Sequence, residues 1–126
     1  MYLLDTHVLL WCLENSPRLK PSAIQLISDP NNIIFVSTVS VWEITVKKML
    51  GKLDVPDNLA EIIEETAFKP LVITFEDALA IETLPDLHND PFDRLLIAQA
   101  QVHRLTLITH DAHCIAYPIQ TIDPTV

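Results

Sequence analysis

Short apolar runs alternate along this chain with longer stretches in which apolar positions recur at helical spacing. Tyr2-Leu3-Leu4 is a brief apolar run ending at Asp5, and Thr6 is placed to cap a helix from His7 to about Leu13. Ser16-Pro17 breaks that pattern, and Pro21 to Ser28 reads as a second helix with proline at its start. Asp29-Pro30-Asn31-Asn32 is a turn. Ile33-Ile34-Phe35-Val36 follows as a second strand with no polar alternation, as expected when both faces are covered. A long helix is predicted from about Val39 to Leu50, stopping at Gly51. Pro56 to Thr66 is another helix, Leu71-Val72-Ile73 a third strand, and Glu76 to Leu84 helical again. Pro85 to Asn89 forms a loop, and Pro91 opens a strongly apolar helix through about His103. Leu105 to Thr109 is the fourth strand, and a last short strand is expected near Ile119 to Ile122.

Strands that alternate with helices, with no hairpin signal between them, predict a parallel α/β sandwich. The absence of repeats, linkers or low-complexity tracts predicts one domain over residues 1–126. Hydrophobic residues are 49% of the chain and charged residues 20%, which excludes a disordered segment. The longest early apolar run, Val8 to Leu13, is cut off by Glu14, far short of the roughly 20 residues of a membrane span. Cys12 and Cys114 lie among apolar neighbours without CxxC spacing, so a disulfide framework is not expected and a reducing, cytoplasmic location is.

Chemistry is narrowed by what is scarce. Gly51 is the only glycine, which excludes phosphate-cradling loops of the P-loop or dinucleotide kind. G-x-S-x-G is absent as well. The net charge of −9 opposes nonspecific nucleic-acid binding unless cations or a basic partner offset it. Lys47, Lys48 and Lys52 form the one local concentration of positive charge; they suit either a solvated helix face, with Glu43 and Lys47 as an i,i+4 pair, or phosphate steering.

Asp5, Glu43, Asp93 and Asp111 recur where an apolar strand ends or a helix begins. In a parallel sheet those points share one edge, where ligands bind. Four acids gathered there need a divalent cation between them. Each also has a plain structural explanation. Asp5 and Asp111 can cap helices, and Asp90 can cap the helix that Pro91 opens while Asp93 meets its dipole; Ser40-Val41-Trp42-Glu43 fits a capping box, whereas a helix that already begins at Val39 after Ser37 or Thr38 places Glu43 inside its first turns. His110 and His113 are spaced i,i+3 around Asp111, but no further zinc ligands are nominated nearby.

Leu3-Leu4-Asp5-Thr6-His7, Ser37-Thr38-Val39-Ser40-Val41-Trp42-Glu43-Ile44, Leu50-Gly51-Lys52-Leu53, the run from His88 to Ala100 that includes Asp90-Pro91-Phe92-Asp93-Arg94, and Leu107-Ile108-Thr109-His110-Asp111 together resemble a PIN domain. The resemblance is to the VapC-like toxins of toxin–antitoxin systems and covers essentially the whole chain. It implies a three-layer α/β/α sandwich with a central parallel sheet. It also implies a Mg²⁺- or Mn²⁺-dependent endoribonuclease, a homodimer, and inhibition by a cognate antitoxin. The family's acidic tetrad falls on Asp5, Glu43, Asp93 and Asp111, with Thr6 beside the first acid and Asp90 as an extra acid whose metal role is open. Lys47 and Arg94 are candidates for contacts to RNA phosphates. Two other readings stand beside this one: a PIN-like binding protein without catalysis, and a receiver-like domain phosphorylated on an aspartate, which would want paired acids after its first strand.

Overall fold

The computed structural model describes residues 1–126. Five short strands form one sheet: β1 (Tyr2–Leu4), β2 (Ile34–Ser37), β3 (Lys69–Leu71), β4 (Thr106–Ile108) and β5 (Thr121–Ile122). Their order across the sheet is β3-β2-β1-β4-β5, and every pairing is parallel. The connections are helical: α1 (Thr6–Leu13), α2 (Pro21–Ser28), α3 (Thr38–Met49), α4 (Leu59–Glu64), α5 (Phe75–Ala80), α6 (Pro91–His103) and α7 (Ala112–Ile115), with a 3₁₀ turn at Ile81–Thr83.

The sheet is covered on both faces, which is why its inner strands are apolar at all but Ser37 and Thr106. Leu3 and Leu107 point to one side, into a cluster with Leu95, Leu96 and Ile97 of α6. Leu4, Ile34, Val36 and Ile108 point to the other, into a cluster with Val8 and Leu9 of α1 and Ile44 of α3. The three-layer α/β/α sandwich with a central parallel sheet is therefore the observed architecture. No helix is long and apolar enough to cross a membrane.

Element boundaries shift where tertiary context outweighs local pattern. The third strand is Lys69–Leu71, two residues earlier than Leu71-Val72-Ile73, and Val72 is exposed. As an edge strand it pairs only with β2, so it tolerates lysine and proline that a pattern search passes over. The helix expected over Pro56–Thr66 contracts to Leu59–Glu64, and that over Glu76–Leu84 divides into α5 and the 3₁₀ turn. Gly51 does end α3, with φ +70.

From β1 the chain moves to β2 and β3 on one side, then returns to β4 and β5 on the other. The switch point between the two directions lies between β1 and β4, and the crevice at their carboxyl ends is where such sheets bind ligands.

Candidate active site

The carboxyl end of β1 delivers Asp5, which caps α1: its Oδ1 accepts the Val8 N–H at 2.8 Å and its Oδ2 accepts the Thr109 hydroxyl just beyond β4. Asp5, rather than Thr6, is thus the helix cap. Thr6 instead donates its hydroxyl to Ser40 at 3.1 Å, a buried bond that ties the start of α1 to the start of α3. Asp111 lies beyond β4 and caps α7 by accepting the His113 N–H at 2.8 Å.

Glu43 sits in the second turn of α3, a helix capped by Ser37, so the capping box suggested by Ser40 and Glu43 does not form. Its carboxylate is 2% exposed: Oε2 takes the Lys47 ammonium at 2.5 Å, while Oε1 has no partner. The neighbouring Trp42 meets Phe92 edge-on at 4.8 Å, which packs the starts of α3 and α6 together. Asp90 is a true cap, its Oδ1 accepting the N–H groups of Phe92 and Asp93 at 2.8 and 3.1 Å. With the helix end satisfied by Asp90, the Asp93 side chain is free to face the crevice, where His88 Nε2 lies 2.8 Å from its Oδ2.

Sequence reasoning places His88 in the Pro85–Asn89 loop and gives it no role in the site. The same imidazole nitrogen is 3.8 Å from Asp111 Oδ2, and the ring stacks on His113 at 4.7 Å. Arg94 fixes this loop: its Nη1 donates to the Pro85 and His88 carbonyls and the Tyr117 hydroxyl, and its Nη2 to the Ile81 carbonyl. In this conformation the guanidinium is committed to the protein's own oxygens rather than offered to an RNA phosphate. Cys114, three residues beyond Asp111, completes a set in which ligand atoms of His88, Asp93, Asp111 and Cys114 all lie within 4.8 Å of one another. No spacing in the chain nominates His88. Cys114 could have been found as the i+3 neighbour of Asp111 on a following helix, the spacing that puts two side chains on one face.

The electrostatics show that the acids share a neighbourhood. Burial pushes the Asp93 carboxyl up to about 6, against the His88 hydrogen bond, and Asp90, Glu43 and Asp111 add to the rise. Burial also raises Asp5, despite the bonds from Thr109 and Val8, and Asp111 contributes. Lys47 is raised in turn, first by its bond to Glu43 and further by Asp90 and Asp93. Asp5, Glu43, Asp93 and Asp111 thus come from four separate stretches of chain: Asp93 feels the charge of Glu43 and Asp111, and Asp5 that of Asp111, while the set of donors within 4.8 Å holds Asp93 and Asp111 but neither Asp5 nor Glu43. His110 turns away to Asp123, at 3.0 Å, so the His110–His113 pair forms no zinc site.

A family model for the PIN domain matches residues 2–118. The chain belongs to the PIN domain family. Solved structures carry the same fold. VapBC2 from Rickettsia felis, bound to a DNA fragment from its promoter, superposes with TM-score 0.73 at 15% identity, covering 96% of each chain. FitAcB from Neisseria gonorrhoeae gives 0.70 at 20% identity over 98% of each chain. A toxin–antitoxin complex from Klebsiella pneumoniae gives 0.68 at 20% identity, again over 98% of each. No curated protein matches.

Within this PIN domain an unpartnered, buried carboxylate oxygen beside further acids is costly unless a cation completes it. The hard oxygen donors fit Mg²⁺ or Mn²⁺. A receiver-like phospho-acceptor fits poorly: Asp5 is 5% exposed, stands alone after β1 and has both oxygens engaged.

Proposed function

We propose that this PIN domain is a divalent-metal-dependent endoribonuclease and the toxin of a toxin–antitoxin pair. The observation that carries the reading is Glu43: a buried carboxylate with an unpartnered oxygen, in the electrostatic field of Asp93, at the switch point of a parallel sheet. Asp5, Glu43, Asp93 and Asp111 would hold Mg²⁺ or Mn²⁺. The metal when bound lowers the pKa of its water, orients the scissile phosphate and stabilises charge in an in-line displacement.

The remaining work falls to this chain's own residues. Thr109 and the Val8 N–H orient Asp5, Asp90 fixes the first turn of α6 behind Asp93, and the Thr6–Ser40 bond holds the opposite wall. Lys47, half-buried in its pair with Glu43, is the basic side chain that would meet an incoming RNA phosphate. The acidic field that would repel RNA is offset by the cation and by the starts of α1, α3 and α6, which the Thr6–Ser40 bond and the Trp42–Phe92 contact hold together. The structural relatives that are toxin–antitoxin complexes support an antitoxin as partner for this chain, and a basic antitoxin side chain entering the cluster would block it. A homodimer accords with the exposed apolar residues Val72, Phe75 and Leu79 on and before α5.

Purified protein with Mn²⁺ is expected to cut RNA to 5′-phosphate and 3′-hydroxyl ends. Asp5→Asn and Asp93→Asn remove the activity and keep the fold. Cleavage by a well-folded, purified Asp93→Asn protein would refute the nuclease. A wild-type protein that neither cleaves RNA nor gains thermal stability from Mn²⁺ would be a binding protein instead.

A further inference from the structure

The crevice carries two donors that a Mg²⁺ or Mn²⁺ site does not need, the imidazole of His88 and the thiol of Cys114. The geometry points to a second mode of metal binding here: a four-coordinate Zn²⁺ site built from His88 Nε2, Asp93, Asp111 and Cys114 Sγ, mutually exclusive with the nuclease's own cation. The donor atoms already lie within 4.8 Å of one another. A tetrahedral zinc with bonds of about 2.0–2.3 Å places its donors about 3.3–3.8 Å apart, so small side-chain rotations close the set. His88 Nε2 and Asp93 Oδ2, at 2.8 Å, are already nearer than that and open slightly.

Nitrogen, sulfur and two carboxylates form a mixed set that suits zinc, whereas Mg²⁺ and Mn²⁺ favour oxygen alone. Cys114 is buried at the floor of the set, and the half-buried Asp93 and Asp111 leave the approach open. Arg94, by anchoring the His88 carbonyl, keeps the imidazole over the carboxylates. Binding transfers the thiol proton to solvent and requires the Nε2 lone pair, so the remaining imidazole proton sits on Nδ1. Asp93 and Asp111 belong to both sets. A zinc-loaded chain therefore lacks two of the carboxylates that the nuclease reading requires, and Zn²⁺ switches the enzyme off. That consequence rests on the proposed function; the zinc site itself does not.

The test uses chelator-stripped full-length protein titrated with Cd²⁺, whose thiolate complexes absorb in the ultraviolet, and with Zn²⁺ against a chromogenic chelator. Wild type is expected to bind one ion per chain with thiolate charge-transfer absorption. Cys114→Ser and Cys114→Ala lose that absorption, and His88→Gln weakens Zn²⁺ binding at least tenfold. Asp5→Asn, which lies outside the set, keeps both signals while losing the Mn²⁺ thermal shift, so the two sites fail independently. In wild type, one equivalent of Zn²⁺ suppresses the Mn²⁺ thermal shift. The proposal is overturned if wild type shows no thiolate band, if Cys12→Ser rather than Cys114→Ser removes it, or if folded Cys114 and His88 variants bind Zn²⁺ as wild type does.

Discussion

Asp93→Asn separates the cost of the acidic cluster from its use. The Asp93 carboxyl titrates near about 6 in the folded chain against an ordinary 3.8, because burial withdraws water from it and neighbouring carboxylates repel its charge. A raised carboxyl pKa means that the native state holds the proton more tightly than the unfolded chain does. Below about pH 4 both states are protonated and the residue costs nothing. Between about pH 4 and 6 the unfolded chain ionises first and stability falls; above that window the loss is complete. Two units at about 1.4 kcal/mol each set a ceiling of about 3 kcal/mol, and the partial exposure of the group reduces the expected cost to about 1–3 kcal/mol. With an unfolding entropy of about 2.1 cal/mol/K per residue over 126 residues, each kcal/mol moves the midpoint by about 4 °C. In metal-free buffer, Asp93→Asn should therefore melt about 4–11 °C above wild type near neutral pH, and within about 2 °C of it at about pH 4. Mn²⁺ at about a hundred times its dissociation constant adds about 2.7 kcal/mol to wild type and much less to the variant, so the cation narrows or reverses the order. Thermal denaturation of both proteins at two pH values, with and without Mn²⁺, reads all four quantities. A variant no more stable than wild type at neutral pH, or one that gains equally at both, would refute the electrostatic account of this site.

Three further expectations follow from the surrounding scaffold. Thr6→Val leaves the buried Ser40 hydroxyl without its partner and should lower stability in urea by about 1–2 kcal/mol; if Ser40→Ala then adds its full cost on top, the two hydroxyls do not act as a pair. Asp77, fully buried, closes the capping box of α5 and accepts from Gln99 and His103, so Asp77→Ala should cost about 2–4 kcal/mol. Burial raises its pKa, but the bonds from Thr74, Gln99 and His103 prevail and hold it below the usual value. Its contribution is therefore present above the ordinary carboxylate range and lost as pH falls through the depressed pKa, which a comparison of wild type and Asp77→Asn in acid would show. Arg94→Met should release the loop from Ile81 to His88, speeding its amide exchange and lowering the midpoint by a few degrees. Unchanged exchange, together with a shallower salt dependence of RNA binding, would instead place Arg94 on the phosphate.

The sequence by itself determined the class of fold, and it nominated Asp5, Glu43, Asp93 and Asp111 as the acids of the proposed site. Ile34-Phe35-Val36 and Leu107-Ile108 are apolar at successive positions because both faces of their strands are covered, and that pattern survives without knowledge of the partners. Asp90-Pro91 marked the start of α6 because a cap and a fixed φ act locally. Other features depended on contacts between distant segments. Lys69-Pro70-Leu71 is a strand only because β2 lies beside it, and Glu43 is buried because α3 packs against α1 and α6, although the helix start after Ser37 is legible locally. The neighbourhood of Asp93 was decided by tertiary structure alone. His88 reaches it because Arg94 draws the preceding loop back, and Cys114 because α7 turns in beneath Asp111. Local periodicity reports which face of an element is apolar; it carries no information about which loop will fold over the polar edge, because that is set by packing between residues far apart in the chain.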